Sequence, residues 1–230
     1  MCQMIFFMDI DGTLKLSGLP LSRKMHEALR HLKKQGHAII FCTGRTLLEI
    51  PDRWLHDGAI ACFGHQIIYH DQILYRHPLT KGQDDHMHPL FGFGWSRVYT
   101  GVKQMNRYPI YKAVYWKRGW HVRYPDGMDK GKGIDWLSEA LGHPFDLSIG
   151  IGNSLADLAM WRAVNIKVAV GHRCEALNHQ ADICLERRHL AGFLKGVKQD
   201  ATYFDNWRRT RDWPGDGQKP SCARRSRNNS

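Results

Sequence analysis

An α/β fold with one inserted cap is what the order of strand and helix signals predicts: a parallel, Rossmann-like sheet covered by helices on both faces. Three observations carry that prediction. Strand-like and helix-like segments alternate up to about residue 75 and again after about residue 130. Several strand-like runs are almost unbroken in apolar residues, 4–10 above all with Asp9 its one polar residue, which fits strands buried on both faces. Between the two alternating regions the composition shifts to Gly, His and aromatic residues with short alternating runs, which reads as a small α+β insert rich in strands. The expected organisation is a core over residues 1–78 and 130–205, a cap over 79–129 and a tail over 206–230.

Taken in order, residues 4–10 form the first strand. Ser22 caps a helix whose apolar stripe is Met25, Leu29 and Leu32, and Gly36 stops it. Residues 37–42 form a second buried strand, closed by the turn Thr43-Gly44. A helix is expected over 47–55, then strands over 59–63 and 66–69, with 73–75 extending the hairpin. Inside the insert the alternating runs are 97–99, 111–116 and 120–124. Beyond it a helix over 133–141 carries Ile134, Leu137 and Leu141 on one face and ends at Gly142. Strands over 146–151, 166–170 and 181–185 and helices over 155–163 and 189–197 complete the core.

Composition narrows the function classes. The chain has 230 residues, 43% hydrophobic and 24% charged, enough for one sizeable core with a small second domain. No stretch approaches the roughly 20 apolar residues that span a bilayer, and the opening residues lack the pattern of a secretory signal. A cytoplasmic protein without a membrane role is expected. Cys2, Cys42, Cys62, Cys174, Cys184 and Cys222 show no paired spacing, which fits reduced thiols better than disulfides or a zinc site. His86 and His88 form the densest histidine cluster, but no Cys or carboxylate stands at metal-site spacing beside them, so they read as ordinary histidines. Part of the formal net charge of +11 lies in the tail, at Arg208, Arg209, Arg211, Lys219, Arg224, Arg225 and Arg227. Such a segment buries too little apolar surface to order itself. It could touch nucleic acid by charge alone, but no nucleic-acid motif accompanies it, so a solvated tail is the reading.

In open parallel sheets the active site lies at the carboxyl ends of the strands. After the first strand comes Asp9-Ile10-Asp11-Gly12-Thr13-Leu14, two carboxylates one residue apart before a glycine turn. This hexapeptide resembles the nucleophile motif of the haloacid dehalogenase superfamily, and three further segments match that family in order. Phe41-Cys42-Thr43-Gly44-Arg45 resembles its second motif, Asp129-Lys130-Gly131-Lys132 its third, and the run from Gly150 through Asn153 to Asp157 its metal-binding fourth. The resemblance covers roughly residues 4–200. An insert between the second and third motifs is similar to the cap of Cof-like sugar phosphatases, and the third and fourth motifs look most like those of mannosyl-3-phosphoglycerate phosphatases.

The resemblance implies a phosphatase acting on a small phosphorylated metabolite. It makes Asp9 the nucleophile that forms an aspartyl-phosphate, and Asp11 the group that protonates the leaving oxygen and then deprotonates water. Thr43 would bind a phosphoryl oxygen and Lys130 would neutralise charge. Gly44 and Arg45, with Arg123 in the cap, would contact substrate. Mg2+ would be held by Asp9, the backbone carbonyl of Asp11, Asn153 and Asp157.

Two positions depart from the family pattern. Asn153 stands where the fourth motif carries a metal-binding carboxylate, with Ala156 in place of its usual Asn, so weak Mg2+ binding is expected. Phe63 stands where the sugar-phosphatase branches carry an Asn that faces the substrate. Two readings besides the phosphatase stay open: a phosphomutase using the same two aspartates, and a weakened binding or regulatory protein that keeps the fold. The substrate and the oligomeric state are left open by the sequence.

Overall fold

The computed structural model describes residues 3–16, 18–45, 47, 50, 53–76, 112–116, 119–123, 128–142, 145–171, 174–197 and 203–204, with the backbone alone for Arg53, Arg76 and the two segments between 112 and 123. Ten strands and five helices are described. They run β1 (Met4–Met8), α1 (Arg23–Lys34), β2 (Ala38–Cys42), β3 (Gly58–Ala61), β4 (Gln66–Tyr69), β5 (Gln72–Arg76), β6 (Lys112–Trp116) and β7 (Gly119–Arg123). There follow α2 (Lys130–Ala140), β8 (Leu147–Gly152), α3 (Asp157–Trp161), β9 (Ile166–Val170), α4 (Glu175–Gln180), β10 (Ile183–Leu185) and α5 (Arg187–Gly196).

Eight strands form one sheet in the order β10-β9-β8-β1-β2-β3-β4-β5. From β10 to β3 every pairing is parallel, while β4 and β5 add an antiparallel edge. The chain leaves β1 toward β2 and β3 on one side and later returns to β8 on the other. The carboxyl end of β1 is therefore a topological switch point, where open α/β sheets place their ligands. β6 and β7 pair separately as an antiparallel hairpin, from Lys112 opposite Arg123 to Trp116 opposite Gly119.

The period-two alternation of β1 and β2 splits the core between two faces. Met4, Phe6, Met8, Ile39 and Phe41 pack with Leu29 and Leu32 of α1 and Leu190, Phe193 and Leu194 of α5. Ile5, Phe7, Ile40 and Cys42 face Ile134 and Leu137 of α2, Met160 and Trp161 of α3, and Leu177 of α4. Helices on both faces explain why these strands read as unbroken apolar runs. Ser22 caps α1 as expected, accepting from the Met25 backbone N–H at 3.2 Å.

Several expectations need correction. The helix over 47–55 is, in its described part, a 3-10 turn at Arg53–Leu55; Pro51 has no N–H with which to extend an α-helix across this stretch. The strand over 59–63 stops at Ala61, because Cys62 and Phe63 turn to φ values of 50° and 52°. The helix over 155–163 spans only Asp157–Trp161. Helix α4 was not anticipated, since its six residues bury only Leu177 and offer no apolar stripe. The alternating run at 97–99 and the tail over 206–230 lie outside the described residues. Among the described residues no helix is long and apolar enough to cross a membrane, and Cys42, Cys62, Cys174 and Cys184 are free thiols.

Candidate active site

Strand β1 delivers Asp9 to the switch point, where its N–H donates to the carbonyl of Ile151 on β8 at 2.9 Å. Its side chain is nearly buried. One carboxylate oxygen accepts from Lys130 Nζ at 2.7 Å and the other from Thr13 Oγ1 at 3.0 Å. Burial pushes the Asp9 carboxyl up to about 7, with the neighbouring charge of Asp157 adding to the rise and Lys130 opposing it.

Lys130 opens α2, whose N-cap Asp129 accepts from the Lys132 backbone N–H at 3.0 Å. Its Nζ, almost inaccessible to solvent, also donates to Asp157 Oδ1 at 2.7 Å. Burial alone would lower the ammonium, but the carboxylates of Asp157 and Asp9 more than reverse this and raise it, so Lys130 is a permanent cation. Asp157 is fully buried at the start of α3. Its second oxygen accepts from the backbone N–H groups of Asn153 and Ser154 at 2.9 and 3.0 Å and from the Ser154 hydroxyl at 3.1 Å. Both Asp157 oxygens are thus engaged inside the protein, and the residue ties Lys130 to the loop after β8.

Asp11 lies two residues past Asp9 in a tight loop closed by the Gly12 N–H donating to the Lys15 carbonyl at 2.7 Å. Gly12 has φ +92°, and a Cβ on it would come within 1.9 Å of the Asn153 side-chain nitrogen. That close approach brings Asn153 against the nucleophile loop. Arg45 grips both oxygens of Asp11, Nε to Oδ2 at 2.5 Å and Nη2 to Oδ1 at 2.8 Å.

Thr43 is buried just past β2, its N–H donating to Ile60 at 2.9 Å while its hydroxyl oxygen accepts from the Arg45 N–H at 3.1 Å. Gly44 sits beneath the ring of Phe63, where a Cβ would meet the ring at 2.6 Å. Phe63 reaches that position through its left-handed backbone, and its N–H donates to the Thr43 carbonyl at 3.1 Å. The backbone of Arg123 ends β7; its side chain lies outside the described residues.

The fold therefore brings together Asp9, Asp11, Thr43, Gly44, Arg45, Lys130, Asn153 and Asp157 from four separate segments. Two further contacts carried no separate signal in the sequence. Thr13 donates to Asp9, and Arg187, the first residue of α5, donates from Nε to the carbonyl of Gly12 at 2.9 Å, bracing the loop from across the chain. Nothing in the run Arg187-Arg188 marks the first arginine as different from the second.

The donor set can be tested against Mg2+, the cation expected from the sequence. Among the described residues no three His, Cys, Asp or Glu side chains form a group that could hold a metal by themselves. The oxygens that the resemblance assigns to it, Asp157 apart, are the Asp9 carboxylate, the Asp11 backbone carbonyl and the Asn153 amide. This set is all oxygen with one carboxylate, which fits Mg2+, a hard cation commonly bound by one or two carboxylates, waters and substrate phosphate. It is a lean fit, because the second carboxylate is missing at Asn153 and Asp157 is engaged by Lys130.

Comparison with known proteins agrees with this architecture. A family model described as haloacid dehalogenase-like hydrolase matches residues 6–91 and 102–196. A phosphoglycolate phosphatase of Staphylothermus marinus is 25% identical over 226 residues, covering 83% of this chain and 94% of that protein. Among solved structures, BT1666 from Bacteroides thetaiotaomicron, studied among the phosphatases of the haloalkanoate dehalogenase superfamily, superimposes with a TM-score of 0.65 at 17% identity, covering 89% of this chain and 96% of its own. The subclass IIB sugar phosphatase BT4131 gives 0.60 at 19% identity, covering 84% and 98%.

Proposed function

Because the chain belongs to the haloacid dehalogenase-like hydrolases, we propose that it is a phosphatase that hydrolyses a small phosphorylated sugar or glycerate-type metabolite through an aspartyl-phosphate. The observation that carries the reading is the Asp9–Lys130 contact of 2.7 Å at the carboxyl end of β1, with Asp11 two residues away. A carboxylate can attack a phosphate ester only where fixed cations offset the like charges, and Lys130 is such a cation.

In the first step Asp9 forms a bond to phosphorus as the bond to the leaving oxygen breaks, and Asp11 gives that oxygen its proton. In the second, water attacks the aspartyl-phosphate, its proton passes to Asp11, and the P–O bond to Asp9 breaks to release inorganic phosphate. Thr43 binds a phosphoryl oxygen, and Gly44, Arg45 and Arg123 are the residues that would contact the substrate. Mg2+, when bound, would be held by Asp9, the Asp11 carbonyl and Asn153, and would supply positive charge at the phosphoryl group. Asp157 serves by orienting Lys130 and the Asn153 loop. A reducing, cytoplasmic setting goes with this reading, since the six cysteines show no paired spacing in the sequence.

The Asn153 amide keeps a second reading in view, a weakened enzyme that binds phosphorylated ligands more than it turns them over. Phosphate release across a panel of sugar and acid phosphates, with and without Mg2+, tests both. Wild-type release without a bisphosphate activator, lost in Asp9→Asn, supports the phosphatase and excludes a mutase. Release that survives in Asp9→Asn refutes the mechanism, and ligand binding without release favours the second reading.

A further inference from the structure

The two ion-pair systems in the site differ in how freely they can exchange partners. Lys130 is enclosed, its side chain 2% exposed, and both its carboxylates are held within the fold. The Arg45 and Asp11 side chains are 26% and 31% exposed. An ion pair in contact with water is weak and readily exchanged, whereas a buried one is costly to break. The base of Arg45 is pinned, its N–H donating to the Thr43 hydroxyl oxygen at 3.1 Å and its carbonyl accepting from Cys62 at 2.8 Å. The guanidinium can therefore change partner while its backbone stays in place.

From this contrast we propose that Arg45 is a specificity-determining residue that selects phosphate esters whose leaving group carries a carboxylate. The inference rests on the phosphatase reading, because Asp11 must then stand beside the leaving oxygen, and the guanidinium that touches Asp11 stands beside the leaving group. The planar fork that spans both Asp11 oxygens matches any carboxylate in the same bidentate way. A substrate carboxylate close to the ester oxygen takes over the fork, and Asp11 regains an oxygen with which to serve the leaving group. A neutral hydroxyl at the same place accepts one ordinary hydrogen bond and leaves Arg45 on Asp11. A hydrogen bond to a charged partner is worth enough more than a neutral one to give about ten- to a hundredfold discrimination.

The test compares two esters of equal length, phosphoglycolate and 2-hydroxyethyl phosphate, which differ by a carboxylate in place of a hydroxymethyl group. The expected result is a wild-type kcat/KM at least about tenfold higher for phosphoglycolate. Arg45→Gln should bring the ratio to near one, and Arg45→Lys should leave it in between. A wild-type ratio near one overturns the proposal whether or not the variants fold, and so does a preference that Arg45→Gln leaves intact. If no ester is hydrolysed, the phosphatase reading fails separately. The preference is then read from thermal melts of Asp9→Asn with each ester, where equal protection by the two overturns it.

Discussion

Lys130 Nζ and Asp157 Oδ1 lie 2.7 Å apart with almost no solvent access to either side chain. The second oxygen of Asp157 collects three hydrogen bonds from Asn153 and Ser154. One carboxylate thus fixes both the cation of the site and the loop that follows β8. Removing it leaves a buried ammonium shared with Asp9 alone and three donors without an acceptor. Breaking such a buried pair costs about 3–5 kcal/mol, so Asp157→Ala should lose stability of this order in urea unfolding. Asp157→Asn, which keeps the shape and some acceptor capacity, should lose less. Both should depress phosphate release, because Lys130 loses its anchor.

Asp9 is a charge held in a place that disfavours it. Its carboxyl is raised to about 7, mainly by burial, from an unfolded value near 3.8. A raised carboxyl favours the folded state fully below the unfolded value, and that contribution is lost as pH rises toward 7. Asp9→Asn should therefore be more stable than wild type at pH 8, by at least about 2–4 °C in Tm, with a smaller gain at pH 5. Phosphate release by the same variant should be abolished. Melting curves at the two pH values check the sign, and equal effects at both would show that Asp9 carries no such penalty.

His56 packs against Phe41 with ring centroids 4.7 Å apart, and burial pushes its imidazole down to about 4 from 6.5. The Gly58 backbone opposes this fall only in part. A depressed histidine stabilises the fold fully above its unfolded value of 6.5, and the contribution drains away as pH falls through 4. The shift corresponds to about 3 kcal/mol of stability. His56→Leu, which keeps the apolar contact without the titratable ring, should flatten the loss of stability between pH 6.5 and 4. Urea titrations across that range measure it.

Much of this arrangement was legible in the sequence because it rests on local chemistry. Asp9 follows a run of five buried residues and Ser22 caps a helix with a clear stripe, whereas the helix expected over 133–141 begins three residues earlier, at Lys130 after its Asp129 cap. The first two signals need no knowledge of distant contacts. The Arg187 contact to Gly12 joins residues 175 positions apart, and only the closed sheet brings them together. The left-handed turn at Cys62 and Phe63 escaped for a different reason. Two non-glycine residues there oppose their own backbone preference, held by hydrogen bonds to Thr43 and Arg45 on the neighbouring chain segment. Tertiary bonds overrode a local strand signal, and the price was the straight continuation of β3.

Asn153 is where a single charge can be restored without disturbing its surroundings. Its backbone N–H is already fixed by Asp157 at 2.9 Å, and its side chain already packs against Gly12. An aspartate has the same shape, so Asn153→Asp should fold as wild type does. It would add a second carboxylate to the oxygen set of Asp9 and the Asp11 carbonyl, and hard cations gain affinity with ligand charge. The expected result is Mg2+ binding tighter by about tenfold, roughly 1.4 kcal/mol, read directly by calorimetry and by the Mg2+-dependent rise in Tm. Without Mg2+ the added negative charge stands uncompensated against the Gly12 loop and should lower stability slightly, so the two effects have opposite signs. Unchanged Mg2+ affinity together with unchanged stability would remove Asn153 from the metal site.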